Sequence, residues 1–154
     1  MPIIIRRGTE TDARAAADLW LRARKAAIEF IPPPVHGDDQ VRAWFASHVV
    51  PNAELWVAEA PPGMLVGILV VEGLWLEQLY VEPTMTGRGI GASLLTVAKR
   101  ERPSGLKLWT FVSNAGAQRF YERHGFVETR RTDRDNEEGA PDILYGWADT
   151  AARP

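Results

Sequence analysis

The chain has 154 residues, of which 45% are hydrophobic and 25% charged, with a formal net charge of −2 and no cysteine. That length and apolar content suit one domain, 1–154, built around a single core. The balanced charge offers no basic field for nucleic acid, and the absence of cysteine excludes disulfides, thiolate metal sites and a cysteine acyl-enzyme.

Met1 to Arg7 is too short for a signal peptide, and the longest apolar run, Met64 to Val71, has a strand's length. No membrane span is expected, and a soluble, cytoplasmic protein is. Neither an internal repeat nor a low-complexity tract interrupts the chain; Pro32-Pro33-Pro34, Pro61-Pro62-Gly63 and Asp133 to Asp142 read as loops.

Ile3-Ile4-Ile5 is a β-branched opening strand. Thr9 with Asp12 resembles a capping box introducing an alanine-rich helix through about Ile28. Asp38 or Asp39 then caps a second helix, in which Val41, Trp44, Phe45, His48 and Val49 share one face, and Pro51 stops it. Leu55 to Glu59 and Met64 to Val71 flank Pro61-Pro62-Gly63 as a hairpin, and Trp75 to Val81 forms the next strand. From Gly89, the positions of Ile90, Leu94, Val97 and Ala98 mark a helix face, with Lys99 and Arg100 near its negative C-terminal end. Leu106 to Phe111 reads as a strand, Ala115 to His124 as a helix ended by Gly125, and Phe126 to Arg131 with Ile143 to Trp147 as a closing strand pair. The expected fold class is therefore α/β (α+β). Its mixed sheet is mostly antiparallel, with one parallel crossover where the Leu79 and Leu106 strands flank the Gly89 helix.

The run from Leu79 to Gly91 carries the most chemistry. A strand feeds a glycine-rich turn that opens directly into an apolar helix. Gly87, Gly89 and Gly91 permit backbone angles and close approach that a side chain would block, so several N–H groups can converge on one anion at the positive end of the helix. The same glycines could simply make a tight turn. A P-loop is excluded because Ile90 stands where lysine is needed, and the spacing is wrong for a dinucleotide fingerprint.

Thr86-Gly87-Arg88-Gly89-Ile90-Gly91, after a strand ending Leu79-Tyr80-Val81-Glu82-Pro83, resembles the acyl-CoA signature Q/R-x-x-G-x-G/A of the GCN5-related N-acetyltransferases (GNAT). A second signature follows as Asn114, Ala117, Phe120, Tyr121, Gly125 and Phe126. Thr86 departs from the pattern's Gln or Arg, leaving cofactor affinity to lean on Arg88 and the backbone. The resemblance implies a splayed parallel strand pair whose cleft takes the pantetheine arm of acetyl-CoA, pairing with Leu79 and Val81 beside Tyr80. It places the pyrophosphate on Gly87 to Gly91, near Arg88, Ile90, Ala92 and Ser93, with Asn114, Ala117, Phe120 and Tyr121 on the second motif's side. Asn114 can also cap the helix that it precedes.

Acyl transfer to an amine needs a neutral amine, a stabilised oxyanion and an acid for the departing thiolate. By resemblance the acid is Tyr121, whose ring could alternatively just pack its helix on the sheet, and the oxyanion donor is a backbone N–H near Leu79. Strand alternation sets Glu77 among Trp75, Leu79 and Val81, where desolvation would raise its pKa; the competing reading pairs it with a nearby arginine as a structural ion pair. Glu72 is a second candidate base, and proton loss through water a third route. The three histidines make no ligand cluster, so no metal is expected.

For the acceptor, the resemblance points to Glu29 to Asp39 and Thr132 to Pro141, with Phe30, Trp75 and Tyr145 as candidate contacts; Trp20, Trp44 and Trp75 could line an aromatic pocket, although core packing explains each at least as well. Asp133, Asp135, Glu137 and Glu138, offset by Arg134, could attract a cationic amine or merely be solvated. Asn136 to Asp142 before Tyr145 resembles an ending of bacterial members of unassigned substrate. The expected activity is transfer of acetyl from acetyl-CoA to a primary amine of a small molecule or protein in a ternary complex. A non-catalytic acyl-CoA sensor is the alternative. Many relatives pair, so a homodimer is compatible with the resemblance.

Overall fold

The computed structural model describes residues 2–61, 63–133 and 136–148. One sheet holds seven strands in the order β1-β2-β3-β4-β5-β7-β6. These are β1 (Ile4–Arg7), β2 (Glu54–Ala60), β3 (Met64–Glu72), β4 (Trp75–Val81), β5 (Leu106–Phe111), β6 (Val127–Thr132) and β7 (Asp142–Trp147). Only β4 and β5 run parallel; every other neighbouring pair is antiparallel. The helices are α1 (Ala13–Ala26), α2 (Asp38–Trp44), α3 (Val50–Asn52), α4 (Ile90–Glu101) and α5 (Ala115–Arg123). The expected mixed sheet is thus present, with α4 as the crossover between its parallel strands. Among the described residues no helix is long and apolar enough to cross a membrane.

The continuous apolar run of β3 reflects burial on both faces of a central strand. Val66, Leu69 and Val71 pack with Ile90 and Leu94 of α4, whereas Leu65, Ile68 and Val70 pack with Leu19 and Trp20 of α1 and with Phe45. In place of the single core that composition implies, two apolar layers lie on opposite sides of the sheet.

Local chemistry sets the helix boundaries and corrects several expectations. Thr9 N–H donates to Asp12 Oδ2 at 2.8 Å, and Arg6 grips the same carboxylate at 2.8 and 2.9 Å, tying the helix entry to β1. The α-helix ends at Ala26 rather than Ile28, the chain turning from there to Phe30. Gly37, not Asp38 or Asp39, caps α2, its N–H donating to Gln40 Oε1 at 2.9 Å. The two aspartates instead occupy the first turn, at the positive dipole end. The chain widens into a π turn over Phe45–Val49, and the helical run ends at Asn52, one residue past Pro51. The hairpin between β2 and β3 forms as expected, although Pro62 of its turn, like Arg134 and Asp135 of the later loop, lies outside the described residues.

Gly67 shows how closely α4 approaches β3. A Cβ there would stand 2.9 Å from Ile90 Cγ2 and 2.9 Å from Leu94 Cδ1. Gly67→Val should therefore lower stability by about 1–3 kcal/mol, the cost of overpacking. Urea unfolding checks this; an unchanged midpoint would mean that α4 can back away freely.

Candidate functional site

Strands β4 and β5 meet at one register pair, Trp75 with Lys107, and Lys107 N–H donates to the Leu74 carbonyl at 2.9 Å. Beyond that pair they diverge. The resulting cleft, about 100 Å³, is lined by Leu76 to Tyr80 from β4, Leu108 to Phe111 from β5, and Ile31, Asn114, Ala117 and Tyr121. An edge of β4 that has lost its parallel partner leaves backbone groups needing hydrogen bonds from elsewhere.

The glycine turn stands where β4 hands over to α4. Gly87 and Gly89 have φ of +77° and +80°, the left-handed region that glycine adopts readily, and Gly89 is the N-cap of α4. Gly91 differs from expectation. It is helical, and a Cβ there would make ordinary contact, 3.6 Å from both Phe120 and Val81. Among the described residues the backbone N–H groups from Gly89 to Ala92 have no backbone partner, whereas Ser93 N–H donates to the Gly89 carbonyl at 3.0 Å. Arg88 is exposed beside them. The Thr86 hydroxyl turns back toward the Pro83 carbonyl at 3.4 Å. Such unbonded amides at a helix's positive end suit an anion.

Across the cleft, Asn114 Oδ1 accepts from Ala117 N–H at 3.1 Å, so it does cap α5 while also lining the cleft. Phe120 and Tyr121 stack edge to face at 5.1 Å. Tyr121 is buried yet lines the cleft, and burial, with Tyr80 nearby, holds its phenol well above the ordinary range. Burial likewise raises the Tyr80 phenol, which faces Trp20 of α1.

Glu77 is not where regular alternation puts it. Val70 pairs with Gln78 and Val71 with Leu76, so Glu77 is the extra residue of a β-bulge. Leu76 consequently joins Leu79 and Val81 in the α4-side layer, and Glu77 leaves that face. Glu77 is exposed to solvent while bordering the cleft. Desolvation, then the like charge of Glu72, raises its pKa, while His48 pulls the other way. Glu72 itself meets His48 Nε2 at 3.0 Å and does not line the cleft.

A second cavity, about 400 Å³, opens on the α1 side and is lined by Trp20, Arg24, His36, Trp44, Gln78, Glu137 and Glu138 among others. Gln78 borders both spaces, its Oε1 fixed by the Trp20 indole N–H at 2.8 Å. Of the anticipated contacts, Trp20 and Trp44 are here. Trp75 is instead at the closed end of the β4/β5 junction, with Lys107 Nζ 5.9 Å from its ring. Phe30 lies on an exposed turn, its carbonyl accepting from the Ser113 hydroxyl. Tyr145 lies in the core, fully buried on β7, its hydroxyl donating to Glu122 at 2.7 Å, because alternation along β7 turns it inward. Sequence reasoning missed Arg24 and Gln78. The available signal for Arg24 was its position one helical turn after Trp20, a charge on the buried face of α1.

A family profile described as an acetyltransferase (GNAT) domain matches residues 51–128. The chain belongs to the GNAT acetyltransferase family. It is 29% identical over 136 residues to a peptidyl-lysine N-acetyltransferase, YjaB of Salmonella typhimurium, covering 88% of this chain and 91% of that protein. The solution structure of apo YjaB from Escherichia coli shares the fold with TM-score 0.76 and 26% identity, covering 96% of this chain and 98% of that one. Another, yncA of Salmonella typhimurium with its cofactor acetyl-CoA, has TM-score 0.74 and 17% identity, covering 100% and 98%.

Because the Glu77 pKa is raised in the fold, the native state favours its neutral form. That contribution is present below the carboxyl's unfolded pKa and is lost as pH rises through the folded value. Glu77→Gln should therefore raise the melting temperature relative to wild type more at about pH 8 than at about pH 4. An equal difference at both would remove the desolvated carboxylate from the account.

Proposed function

We propose that this protein is an N-acetyltransferase that moves the acetyl group of acetyl-CoA to a primary amine by direct attack in a ternary complex. The observation that carries this reading is the divergence of β4 and β5 immediately before the unbonded amides at the head of α4, with Tyr121 on the cleft wall. The pantetheine amides would complete the open edge of β4 near Leu79 and Val81 as an added strand does, and the pyrophosphate would rest on the N–H groups from Gly87 to Ala92 beside Arg88.

In this reading the amine occupies the cavity beneath Trp20 and Trp44 and approaches the thioester past Gln78. Glu77, its pKa raised, takes the amine proton directly or through water. The nitrogen attacks the thioester carbonyl, a C–N bond forms, and the C–S bond breaks. The thiolate gains its proton from Tyr121, whose high pKa keeps the phenol protonated until that moment. Glu72, held by His48 outside the cleft, has no part in this scheme. The peptidyl-lysine acceptors named for YjaB support an amine nucleophile and leave both a protein and a small-molecule acceptor within the proposal.

Two measurements test it. Calorimetry should detect acetyl-CoA binding to wild type that is weakened about tenfold or more in Gly89→Asp, whose carboxylate opposes the pyrophosphate; Gly89→Asn, which tolerates the same backbone angle, should retain most of it. Equal losses in the two variants would mean that strain, not charge, is responsible. Tyr121→Phe should lower kcat about 100-fold with acetyl-CoA affinity kept; full kcat would leave Tyr121 a packing residue.

A further inference from the structure

Arg24 is out of keeping with the helix that carries it. It lies on the buried face of α1 at 6% exposure. Among the described residues it forms no ion pair, in contrast to Arg6, Arg22, Arg42, Arg102 and Arg131, each of which meets a carboxylate. Its Nη2 donates to the Pro32 carbonyl at 2.9 Å, its guanidinium lies 4.8 Å from the Trp20 ring and beside the Tyr80 hydroxyl, and its buried Nε has no partner among the described residues. A guanidinium withdrawn from water without a counter-charge is costly, and a carbonyl and an indole face offset only part of that cost. The residue lines the 400 Å³ cavity that shares its lining residue Gln78 with the cleft. An anionic group entering that cavity would supply the missing charge, and Arg is the side chain best shaped to grip a carboxylate.

The same cavity carries carboxylates as well. Glu137 and Glu138 line it, and Glu137 meets His36 at 3.4 Å. The cavity's lining thus carries charges of both signs, Arg24 on α1 and two acids in the loop after β6. A zwitterion matches that arrangement better than a plain cation does.

Building on the acetyltransferase reading, we propose that the acceptor is a small amino acid or related amino-carboxylate, and that Arg24 selects it by binding the carboxylate. Glu137 and Glu138 attract the ammonium end as it enters. The acceptor then loses a proton and reaches the thioester past Gln78. Trp20 and Trp44 wall the cavity and exclude water around the pair, which strengthens the Arg24 contact.

The test compares acceptors that differ only in charge. Amino acids are offered alongside their carboxamides and an amidated lysine peptide, with saturating acetyl-CoA and release of free thiol as the readout. The acids should exceed the amides by about tenfold or more in kcat/KM, the scale of a charge-assisted hydrogen bond. In Arg24→Gln that preference should vanish through KM, and Arg24→Lys should retain part of it. Because the wild-type comparison stands alone, the inference stays falsifiable even if a variant fails to fold. Equal use of acids and amides, or preference for the peptide, overturns the Arg24 assignment and leaves the acetyltransferase reading intact. A second readout covers the case in which no amine is turned over: calorimetric titration of N-acetyl amino acids against N-acetyl amino acid amides. Selective binding of the acids upholds Arg24 as a carboxylate site while the transfer reading falls; no selectivity overturns both.

Discussion

The single parallel contact between Trp75 and Lys107 is the constraint on which the rest of the structure depends. It joins a four-stranded antiparallel half, β1 to β4, to a three-stranded half, β5-β7-β6, and everything distinctive about the molecule lies where that joint opens. The closed end is reinforced. Arg102, just beyond α4, donates to the Gly73 carbonyl at 2.6 Å and pairs with Glu54 of β2. At the open end no such tie exists among the described residues, and α4 packs its Ile90 and Leu94 against the bare backbone of Gly67. Parallel strands that part after one pair leave an edge with unmet hydrogen bonds, and a cleft with unmet hydrogen bonds is a place for an amide-bearing ligand.

Strand β4 serves two environments at once because of its bulge. With Glu77 taken out of the pairing, Leu76, Leu79 and Val81 face the α4 layer, whereas Tyr80 packs in the α1 layer and Gln78 bonds Trp20 of α1. A regular strand would have put Glu77 among the leucines, where its charge would be expensive. The bulge instead moves it toward Glu72 and His48, close enough to protein for its pKa to rise yet with an edge still wet. One inserted residue thereby separates an apolar wall from a titratable group within a few positions of chain.

Much of this was legible from local pattern. The strand from Leu106 to Phe111 appears with those bounds, as does the helix opening at Gly89, because period, glycine and a terminal basic pair all speak for the same element. Errors arose where a neighbour overruled a local signal. Asp38 and Asp39 are good caps, yet Gly37 takes the position because Gln40 can reach back to it. The resemblance offered Tyr145 as an acceptor contact, but β5 and β6 enclose β7 and its ring lies in the core.

The sequence by itself determined the elements, their order and the place of the glycine-rich turn, since each rests on residues within a dozen positions of one another. The lack of a Cβ permitted the left-handed angles that Gly87 and Gly89 adopt, as it did the helical angles of Gly91. Tertiary structure alone decided which face Glu77 occupies, that Arg24 and Glu138 border the same cavity, and that Gln78 touches both the cavity and the cleft. Those facts depend on strand register and on contacts between segments more than a hundred residues apart in the case of Arg24 and Glu138. A one-residue change in register reverses every side chain beyond it, and no local pattern encodes that choice.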